Sequence, residues 1–581
     1  MKALLNNKNV ISLVMAIVTY SSICLKRIVE PFSVTSWLVL LCLILLYSKI
    51  DILNKKYKKD VIIISLLLSF LIIFGKIVND NLYTKDISVF NILIKPTNIL
   101  LIIGIFNLLY VLLIDTLPKL INYEIKKENH EKNKGLKVFV ISFIIIFLCW
   151  IPYFLTFFPG LLSSDSLGQL GWILNDFKGI SDQHPVAHTL YISIPYNIGY
   201  MIFGKIGAGV ASFSIFQMII MSAIFSYLVY FLYKRNINKY ILLVVVSFYA
   251  LLPVHAFYSI TMWKDVIFGG LILLLTIETI KIIEKRNELK AKDLTIFVIE
   301  SILCNAFRNN SIYMYYLFAI ATIIIFRKKI KIILPALLIV FSTYYIIKIP
   351  VLNYFNVTRS SSSEYIAMPL QQIGRMAYKG VEFTKEEKEL IDKIMPLEKL
   401  KEAYNPVTSD GIKFNKAYNR KEFDNNKEKY FNLWLNLVIK HPSVALESYA
   451  VSTLGYWYPG VNFWAVYDGI DINDYGLETN SKAPKVINYL VNKMDSKDIP
   501  VLNMEWSIGL IFWTILLFGY IAIKRNKRIL LYSFLPIMGI WLTMMIASPV
   551  YSEYRYVYCA FTTLPLLIVL PYLKENSKKV N

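Results

Sequence analysis

The side chains best suited to chemistry are concentrated in one polar stretch, Phe158–Thr189, FPGLLSSDSLGQLGWILNDFKGISDQHPVAHT. The stretch carries Asp165, Asp176, Asp182 and His184 immediately after an apolar run of helix length. Carboxylate and imidazole groups can take up and release protons, and here they follow the point at which the chain should leave a membrane. The pattern predicts chemistry at a membrane surface rather than a simple connection between two helices.

The composition predicts which elements must position these residues. The chain has 581 residues, of which 56% are hydrophobic, and its mean hydropathy is +0.51. Repeated apolar runs of spanning length predict an all-α polytopic membrane protein with about fourteen transmembrane helices, juxtamembrane helices on the outer side, and one large, mainly helical extracytoplasmic segment. The predicted spans lie near residues 10–25, 34–49, 61–79, 98–117, 137–157, 208–232, 240–258, 266–283, 294–308, 311–326, 331–349, 507–523, 529–547 and 556–573.

The net charge of +22 comes from basic residues in short loops between apolar runs, for example Lys55–Lys59, Arg327–Lys331 and Lys524–Arg528. Basic loops of this kind are held in the cytoplasm. The pattern therefore predicts a bacterial cell-membrane protein with cytoplasmic N- and C-termini, including the basic tail with Lys574, Lys578 and Lys579, and it disfavours nucleic-acid binding. The five cysteines lie in or beside apolar runs without metal-ligand spacing, which predicts neither a disulfide framework nor a zinc site.

One apolar segment, Tyr191–Phe203, would reverse this orientation for every later basic loop if it crossed the membrane. We therefore interpret it as a juxtamembrane or re-entrant helix, broken at Pro195 and Gly199. The chain then divides into four predicted segments. These are a four-helix membrane segment with a basic loop (1–136), a transmembrane core with a first outer loop at 158–207 (137–350), an extracytoplasmic segment (351–505) and a three-helix membrane segment (506–581).

In this orientation the unusual polar residues share the outer face. They are Asp165, His184, Asp265, Arg308, Arg375, Glu553 and Arg555. The motifs around them are LLSSDSLGQ, DQHPVAHT, MWKDVIF, FRNNS, PLQQIGRM, GYWYP and EYRYV. Their order resembles the GT-C superfamily of membrane glycosyltransferases, and more closely a family of uncharacterised bacterial GT-C-like proteins. The resemblance covers Val138 to the C-terminus and leaves the first four spans unassigned.

The resemblance implies transfer of a sugar from a polyprenyl-phosphate donor to a cell-envelope glycan, lipid or protein, by inverting displacement. It implies catalytic roles for two carboxylates, with Asp165 as the general base and Asp265 as the second acid. It leaves a requirement for a divalent metal, Mg or Mn, open, with these two aspartates as its ligands if one binds. The residues that would bind substrate are His184, Arg308, Arg375, Glu553 and Arg555, the arginines because a guanidinium binds phosphate oxygens in a fork.

Each residue also has a structural interpretation that the sequence leaves open. Asp165 follows two serines and precedes a short apolar stretch, so it either caps a juxtamembrane helix or acts as the base. His184–Pro185 is either a helix start or a substrate contact. Asp265 either forms an interfacial ion pair with Lys264 or belongs to the site.

Three further features stay open in the same way. Arg308 and Arg555 either extend to lipid headgroups or bind phosphate. Glu300, within a predicted span, either belongs to a proton or ion path or packs as a hydrogen-bonded group. The aromatic run Tyr456–Tyr458 either stacks on sugar or forms an interfacial belt.

Two other function classes compete with the transferase. A transporter or flippase of a lipid-linked glycan would need paired polar residues deep in the spans and internal repeats, and the sequence offers only Glu300 and no repeat. A non-enzymatic envelope assembly protein would tolerate substitution of Asp165, whereas the enzyme would not.

Overall fold

The fold is described from a computed structural model for residues 8–53, 56–86, 88–359, 366–461, 463–494 and 499–573. In these ranges the chain forms helices joined by turns, with isolated β-bridges but no strand. The predicted basic tail (Lys574, Lys578 and Lys579) lies outside the described residues. Long apolar runs become helices because a helix satisfies its own backbone hydrogen bonds where lipid cannot.

The first helices of the chain lie between residues 8 and 354. They are α1 Lys8–Leu25, α2 Val34–Lys49, α3 Lys58–Asp80, α4 Val89–Leu93, α5 Pro96–Asn122, α6 Gly135–Thr156, α7 Ser164–Leu174, α8 Val186–Phe203, α9 Ile206–Tyr233, α10 Lys239–Leu251, α11 Pro253–Ser259, α12 Lys264–Glu284, α13 Thr295–Phe307, α14 Ser311–Ile325, α15 Ile330–Ile346 and α16 Leu352–Tyr354. The remaining helices are α17 Ala367–Tyr378, α18 Lys385–Ile394, α19 Leu397–Ala403, α20 Asp410–Lys413, α21 Arg420–Asn425, α22 Lys427–Lys440, α23 Pro442–Ser452, α24 Lys485–Lys493, α25 Ile508–Lys524, α26 Leu535–Ala547 and α27 Tyr558–Val569.

The prediction of a helical membrane protein is confirmed, but the count of fourteen spans is not. Among the described residues, nine helical stretches are long and apolar enough to cross a membrane, or ten if the bent pair α10 and α11 is one span. Three of the predicted spans are instead apolar helices of 15–17 residues, namely α2, α14 and α25. A transmembrane helix needs about 20 residues. Counting apolar runs therefore overestimates the number of spans where a helix is shorter than this.

The predicted break at Pro195 and Gly199 is wrong, because α8 is one continuous helix of 18 residues. Pro195 lies inside it. Gly199 is needed for close packing, since a Cβ there would lie 2.6 Å from the Ala208 carbonyl oxygen at the start of α9. The glycine thus brings two helices together instead of ending one. α8 is not among the helices that qualify as candidate spans.

The contacts divide the chain into two compact units. The first unit comprises residues 1–123, 362–461 and 546–552, and the second comprises 124–361, 462–545 and 553–581. Each unit is therefore assembled from separated parts of the chain. The predicted segment 351–505 contributes to both, and the division into four sequential segments stays a prediction.

The predicted aromatic run packs on the first unit, with Tyr456 buried and Trp457 and Tyr458 half-buried. Tyr456 is fully buried and its hydroxyl donates to the Val550 carbonyl at 3.2 Å. Trp457 stacks on Phe74 of α3, with ring centroids 5.8 Å apart. These rings therefore pack against the protein.

The second unit contains α6–α16 and α24–α27, and its core surrounds α12. Most of α12 is buried, which marks it as a central helix. A helix that is apolar all round packs on every side. The first turn of α12 carries Asp265, and the residues before α27 carry Glu553 and Arg555, which are three of the seven predicted site residues.

Candidate functional site

The turn before Asp165 is fixed by backbone hydrogen bonds on both sides. On one side, Leu161 exchanges hydrogen bonds with the segment 260–262, at 3.0 and 3.1 Å. On the other side, Leu162 exchanges hydrogen bonds with the segment 469–471, at 3.2 and 2.9 Å. Because backbone groups provide these bonds, the position of the turn does not depend on the side chains that face the site.

Ser163, and not Asp165, caps α7. The Ser166 hydroxyl accepts the Ser163 backbone N–H at 3.3 Å, and the Trp263 indole N–H donates to the Ser163 hydroxyl at 2.8 Å. Asp165 lies in the first turn of the helix, where the helix dipole favours a negative charge. Its carboxylate is left to contact other side chains.

Asp165 pairs with Arg555. One guanidinium nitrogen of Arg555 donates to Asp165 Oδ2 at 2.7 Å, and His184 Nε2 lies 4.0 Å from Asp165 Oδ1. Burial alone would raise the pKa of the Asp165 carboxyl, but the charges of Arg555 and Lys264 outweigh it and lower this pKa to about 2. Asp165 is therefore ionised at neutral pH.

Arg555 is held between two acids and two aromatic rings. Its Nε lies 3.5 Å from Glu553 Oε1, and its guanidinium carbon lies 5.1 Å from the Trp263 ring centre and 5.2 Å from that of Tyr556. Burial raises the pKa of Glu553 to about 7, against the opposing charge of Arg555. Glu553 therefore changes charge close to neutral pH, directly beside the arginine.

Asp265 and Arg308 form a second, deeper pair. Arg308 lies 3.2 Å from Asp265 Oδ1, with their side chains only 7% and 1% exposed. The same guanidinium donates to the Tyr556 carbonyl at 2.6 Å and lies over the Tyr556 ring. Arg308 and Arg555 thus share Tyr556, which joins the two ion pairs. Among the described residues, the Asp265 carboxylate accepts no hydrogen bond of good geometry.

His184 connects the loop to the start of α12. Lys264 Nζ lies 3.4 Å from His184 Nδ1. Burial, followed by the charge of Lys264, lowers the pKa of His184 to about 4, so its imidazole is neutral at pH 7. A neutral Nδ1 that accepts from Lys264 leaves the proton on Nε2, which faces Asp165. The helix α8 begins at Val186, so His184–Pro185 is a helix start and a site contact at once.

The structure therefore brings six of the seven predicted site residues together with Lys264. We call this group the acid–arginine cluster. Its members are Asp165, His184, Lys264, Asp265, Arg308, Glu553 and Arg555. Lys264 is the member that the sequence analysis treated only as a possible ion-pair partner of Asp265 in MWKDVIF and not as a site residue. The roles of the predicted residues stay predictions.

Arg375 is the exception, since it belongs to the first unit. Its side chain is fully buried and pairs with Glu447, and one of its nitrogens donates to the Tyr404 hydroxyl at 3.2 Å. Lys379 lies 2.8 Å from the same Glu447 oxygen. The Arg375 guanidinium thus has protein partners within its own unit.

Beside the cluster, Asp182 of the first outer loop forms a three-residue clamp with Asn309 and with Lys348, which the sequence analysis did not single out. Lys348 Nζ donates to both Asp182 carboxylate oxygens, at 2.8 and 2.7 Å, and to Asn309 Oδ1 at 2.7 Å. The Asn309 amide donates to the Asp182 carbonyl at 2.7 Å. These hydrogen bonds join Asp182, two positions before His184, to Asn309, which follows Arg308. The sequence signal for this contact is Lys348 in an otherwise apolar run, because a charged side chain in such a run requires a partner.

The two aspartates do not fit a metal site. Mg²⁺ and Mn²⁺ require several oxygen ligands around one ion. Asp165 and Asp265 are each paired with an arginine. In the part of the chain that the structure describes, no three His, Cys, Asp or Glu side chains lie close enough to hold one ion.

Glu300 lies on α13. Its Oε2 atom is buried and has no hydrogen-bond partner among the described residues. Both interpretations of this residue stay open.

Comparison with known proteins identifies a family but no activity. A family model described as a family of unknown function, DUF6020, matches residues 175–581. The match covers more than two thirds of the chain, so the chain belongs to this family. It includes every member of the acid–arginine cluster except Asp165, which lies ten residues before it. No curated protein and no solved structure matches the chain.

Proposed function

We propose that this DUF6020 protein transfers a sugar from a polyprenyl-phosphate donor to a cell-envelope acceptor, by inverting displacement at the acid–arginine cluster. The observation that carries the proposal is an accessible, ionised carboxylate bonded to a stacked guanidinium. The Asp165 side chain is 36% exposed, whereas those of Asp265 and Glu553 are 1% and 3% exposed. Asp165 is therefore the carboxylate of the cluster that a substrate can reach.

The chemistry requires a base and a site for a phosphate. The acceptor hydroxyl oxygen attacks the anomeric carbon, its proton passes to Asp165, and the bond from that carbon to the phosphate oxygen breaks. The polyprenyl phosphate leaves with the electron pair of that bond. A guanidinium suits this leaving group because it stays charged and offers paired N–H donors. Arg555 supplies such a group beside the base.

The ion pair in the resting protein also explains how Asp165 becomes basic. A carboxylate with a pKa of about 2 is a weak proton acceptor at neutral pH. When a donor phosphate takes the Arg555 N–H groups, Asp165 loses its nearest cation. Removal of an opposite charge raises the pKa of a carboxyl group. Donor binding thus strengthens the base in the complex where the base is needed.

The remaining charges of the cluster favour an anion. Arg308 neutralises the buried Asp265, and Lys264, 3.4 Å from His184 Nδ1, adds a positive charge that lowers the pKa of the Asp165 carboxyl. Electrostatic attraction is strong where water is excluded. Basic loops of membrane proteins face the cytoplasm. With the basic loops of this chain on that side, the proposal assigns the cluster to the outer face of a bacterial cell membrane.

The first test compares two aspartates of the same loop. Asp165→Asn removes the proton acceptor and nearly preserves shape, while Asp176→Asn is the matched control. Asp176 is exposed and has a φ of 50°, a conformation that asparagine tolerates. A deletion strain would be complemented with wild type or either variant at equal membrane abundance, and its envelope glycan composition measured. The expected result is a missing sugar, restored by wild type and Asp176→Asn but not by Asp165→Asn.

The missing sugar then selects the polyprenyl-phosphate donor for an assay with purified protein. There, Asp165→Asn should lower the transfer rate by about 10²–10⁴-fold, the usual contribution of general-base catalysis. Equal rescue and equal transfer by Asp165→Asn would refute the base role. That result would favour a transporter or an assembly protein.

A further inference from the structure

Aromatic side chains of the second unit gather next to the Asp165–Arg555 pair. Trp464 and Tyr467 each contact the Trp263 ring, with centroids 6.2 and 5.5 Å from it, and lie 5.7 Å from one another. Trp263 is also the ring over which Arg555 lies, at 5.1 Å. The three rings therefore extend outward from the arginine.

The two ends of this aromatic group differ in exposure. Trp263 is 2% exposed, whereas Trp464 is 41% exposed although three other rings contact it. An indole that is fixed on one side and open on the other presents a flat apolar surface at little cost in side-chain entropy. Trp464 offers such a surface beside charged groups.

The segment that carries these rings is bonded to the turn of the proposed base. The Tyr467 hydroxyl donates to Asp471 Oδ2 at 3.2 Å, and the same oxygen accepts the Ser164 N–H at 2.7 Å. Ser164 directly precedes Asp165. The rings are therefore held in a set position relative to the carboxylate, as a binding surface for a reacting group must be.

This arrangement suits a pyranose. A sugar ring has hydroxyl groups at its edge and a face of C–H groups, and that face packs on an aromatic ring, whose π-face is electronegative. Binding sites for small molecules combine such apolar walls with a few placed polar groups. Here Trp464 and Tyr467 supply the wall, while the Asp471 carboxylate is an acceptor for hydroxyl groups.

We infer that Trp464, supported by Tyr467, binds the pyranose ring of the polyprenyl-phosphate donor through the apolar face of that ring. This inference rests on the proposed function and deepens it. The donor sugar is the better occupant than an acceptor sugar because it is joined to the phosphate. A phosphate at Arg555 leaves its attached ring next to the Trp263–Trp464 pair.

The kinetic experiment uses the full-length protein in detergent. The variants are Trp464→Ala and Trp464→Phe, and the control is Trp37→Ala, which removes an indole that is 58% exposed in the first unit. The donors are polyprenyl-phosphate-linked hexoses. Trp464→Ala should raise the donor KM roughly tenfold, in line with the strength of ring contacts. Trp464→Phe should raise it less, because a smaller aromatic face remains, and Trp37→Ala should stay close to wild type.

A binding experiment keeps this inference separate from catalysis. In the Asp165→Asn background, affinity for a polyprenyl-phosphate-linked hexose is compared with affinity for polyprenyl phosphate alone. The sugar should improve binding, and Trp464→Ala should abolish that improvement without changing the affinity for polyprenyl phosphate. If the affinity gained from the sugar depends on Trp464, the inference is supported even when wild type transfers no sugar. The absence of transfer would refute only the proposed reaction.

Two outcomes would overturn the inference while leaving the proposed function intact. In the first, Trp464→Ala transfers sugar with the donor KM of Trp37→Ala, which would make Trp464 an interfacial aromatic residue. In the second, Trp464→Ala raises the KM of the acceptor and not that of the donor, which would assign the rings to the acceptor.

Discussion

The buried charge network of the first unit allows a quantitative prediction for Glu447→Gln. Arg375 and Glu447 are 0% and 1% exposed, and Lys379, at 8%, lies 2.8 Å from the shared carboxylate oxygen. The substitution removes the carboxylate that two buried cations share. Two unit charges 4 Å apart interact by about 4 kcal/mol at an effective dielectric constant of 20, and the glutamine carbonyl recovers part of this.

The expected loss is therefore about 3–5 kcal/mol of unfolding free energy, the usual cost of removing one partner from a buried ion pair. For a unit of this size, such a loss lowers Tm by about 6–20 °C. The assay is thermal unfolding of the purified protein in detergent, followed by circular dichroism.

Glu402→Gln is the matched control. Glu402 pairs with Lys399 at 2.8 Å, but the two side chains are 66% and 58% exposed. An exposed pair is worth at most about 1 kcal/mol, so its Tm should shift by a few degrees at most. If both substitutions lower Tm equally, the Glu447 network is solvated and the reasoning from burial is wrong.

Two further predictions concern Arg555. Arg555→Lys should lower kcat/KM for the donor about 10–100-fold, because an ammonium group cannot donate to Asp165 and stack on Trp263 at once; kcat/KM equal to wild type would refute the guanidinium role. Glu553, with a pKa of about 7, is neutral below pH 7 and opposes anion binding at Arg555 above it. The donor KM of wild type should therefore rise between pH 6 and pH 8 and that of Glu553→Gln should not, and a parallel rise in both would rule out Glu553 as the titrating group. Because folding raises this pKa, the ionisation of Glu553 costs stability as pH rises through 7, so the Tm of Glu553→Gln relative to wild type should be higher at pH 8 than at pH 6.

The membrane character and the candidate residues could be predicted from the sequence because both depend on local properties. Hydropathy along a run of about 20 residues indicates a lipid-embedded helix whatever its neighbours are. The number of spans could not be predicted in this way, because α2, α14 and α25 are apolar but short. The prediction of a break in α8 was also wrong, because the role of Gly199 depends on its packing against α9, which is a tertiary contact.

The candidate site shows the same division. Residue type marked Asp165, Asp265 and Arg555 as capable of proton transfer and phosphate binding, but linear sequence carries no distances. Asp165 and Arg555 are 390 positions apart and meet at 2.7 Å. Arg375 carries the same guanidinium group, and its motif looks equally suited to phosphate binding. Its side chain instead pairs with Glu447 in a buried ion-pair network of the first unit.

The sequence by itself therefore determined that this protein is a helical membrane protein with a small set of chemically capable polar residues. Only the tertiary structure decided which of them meet, that Asp165 is the accessible acid, and that Trp464 lies exposed against Trp263, the ring over which Arg555 lies. The physical reason is that burial, ion pairing and the pKa of Glu553 depend on groups from distant parts of the chain, which folding alone brings into contact.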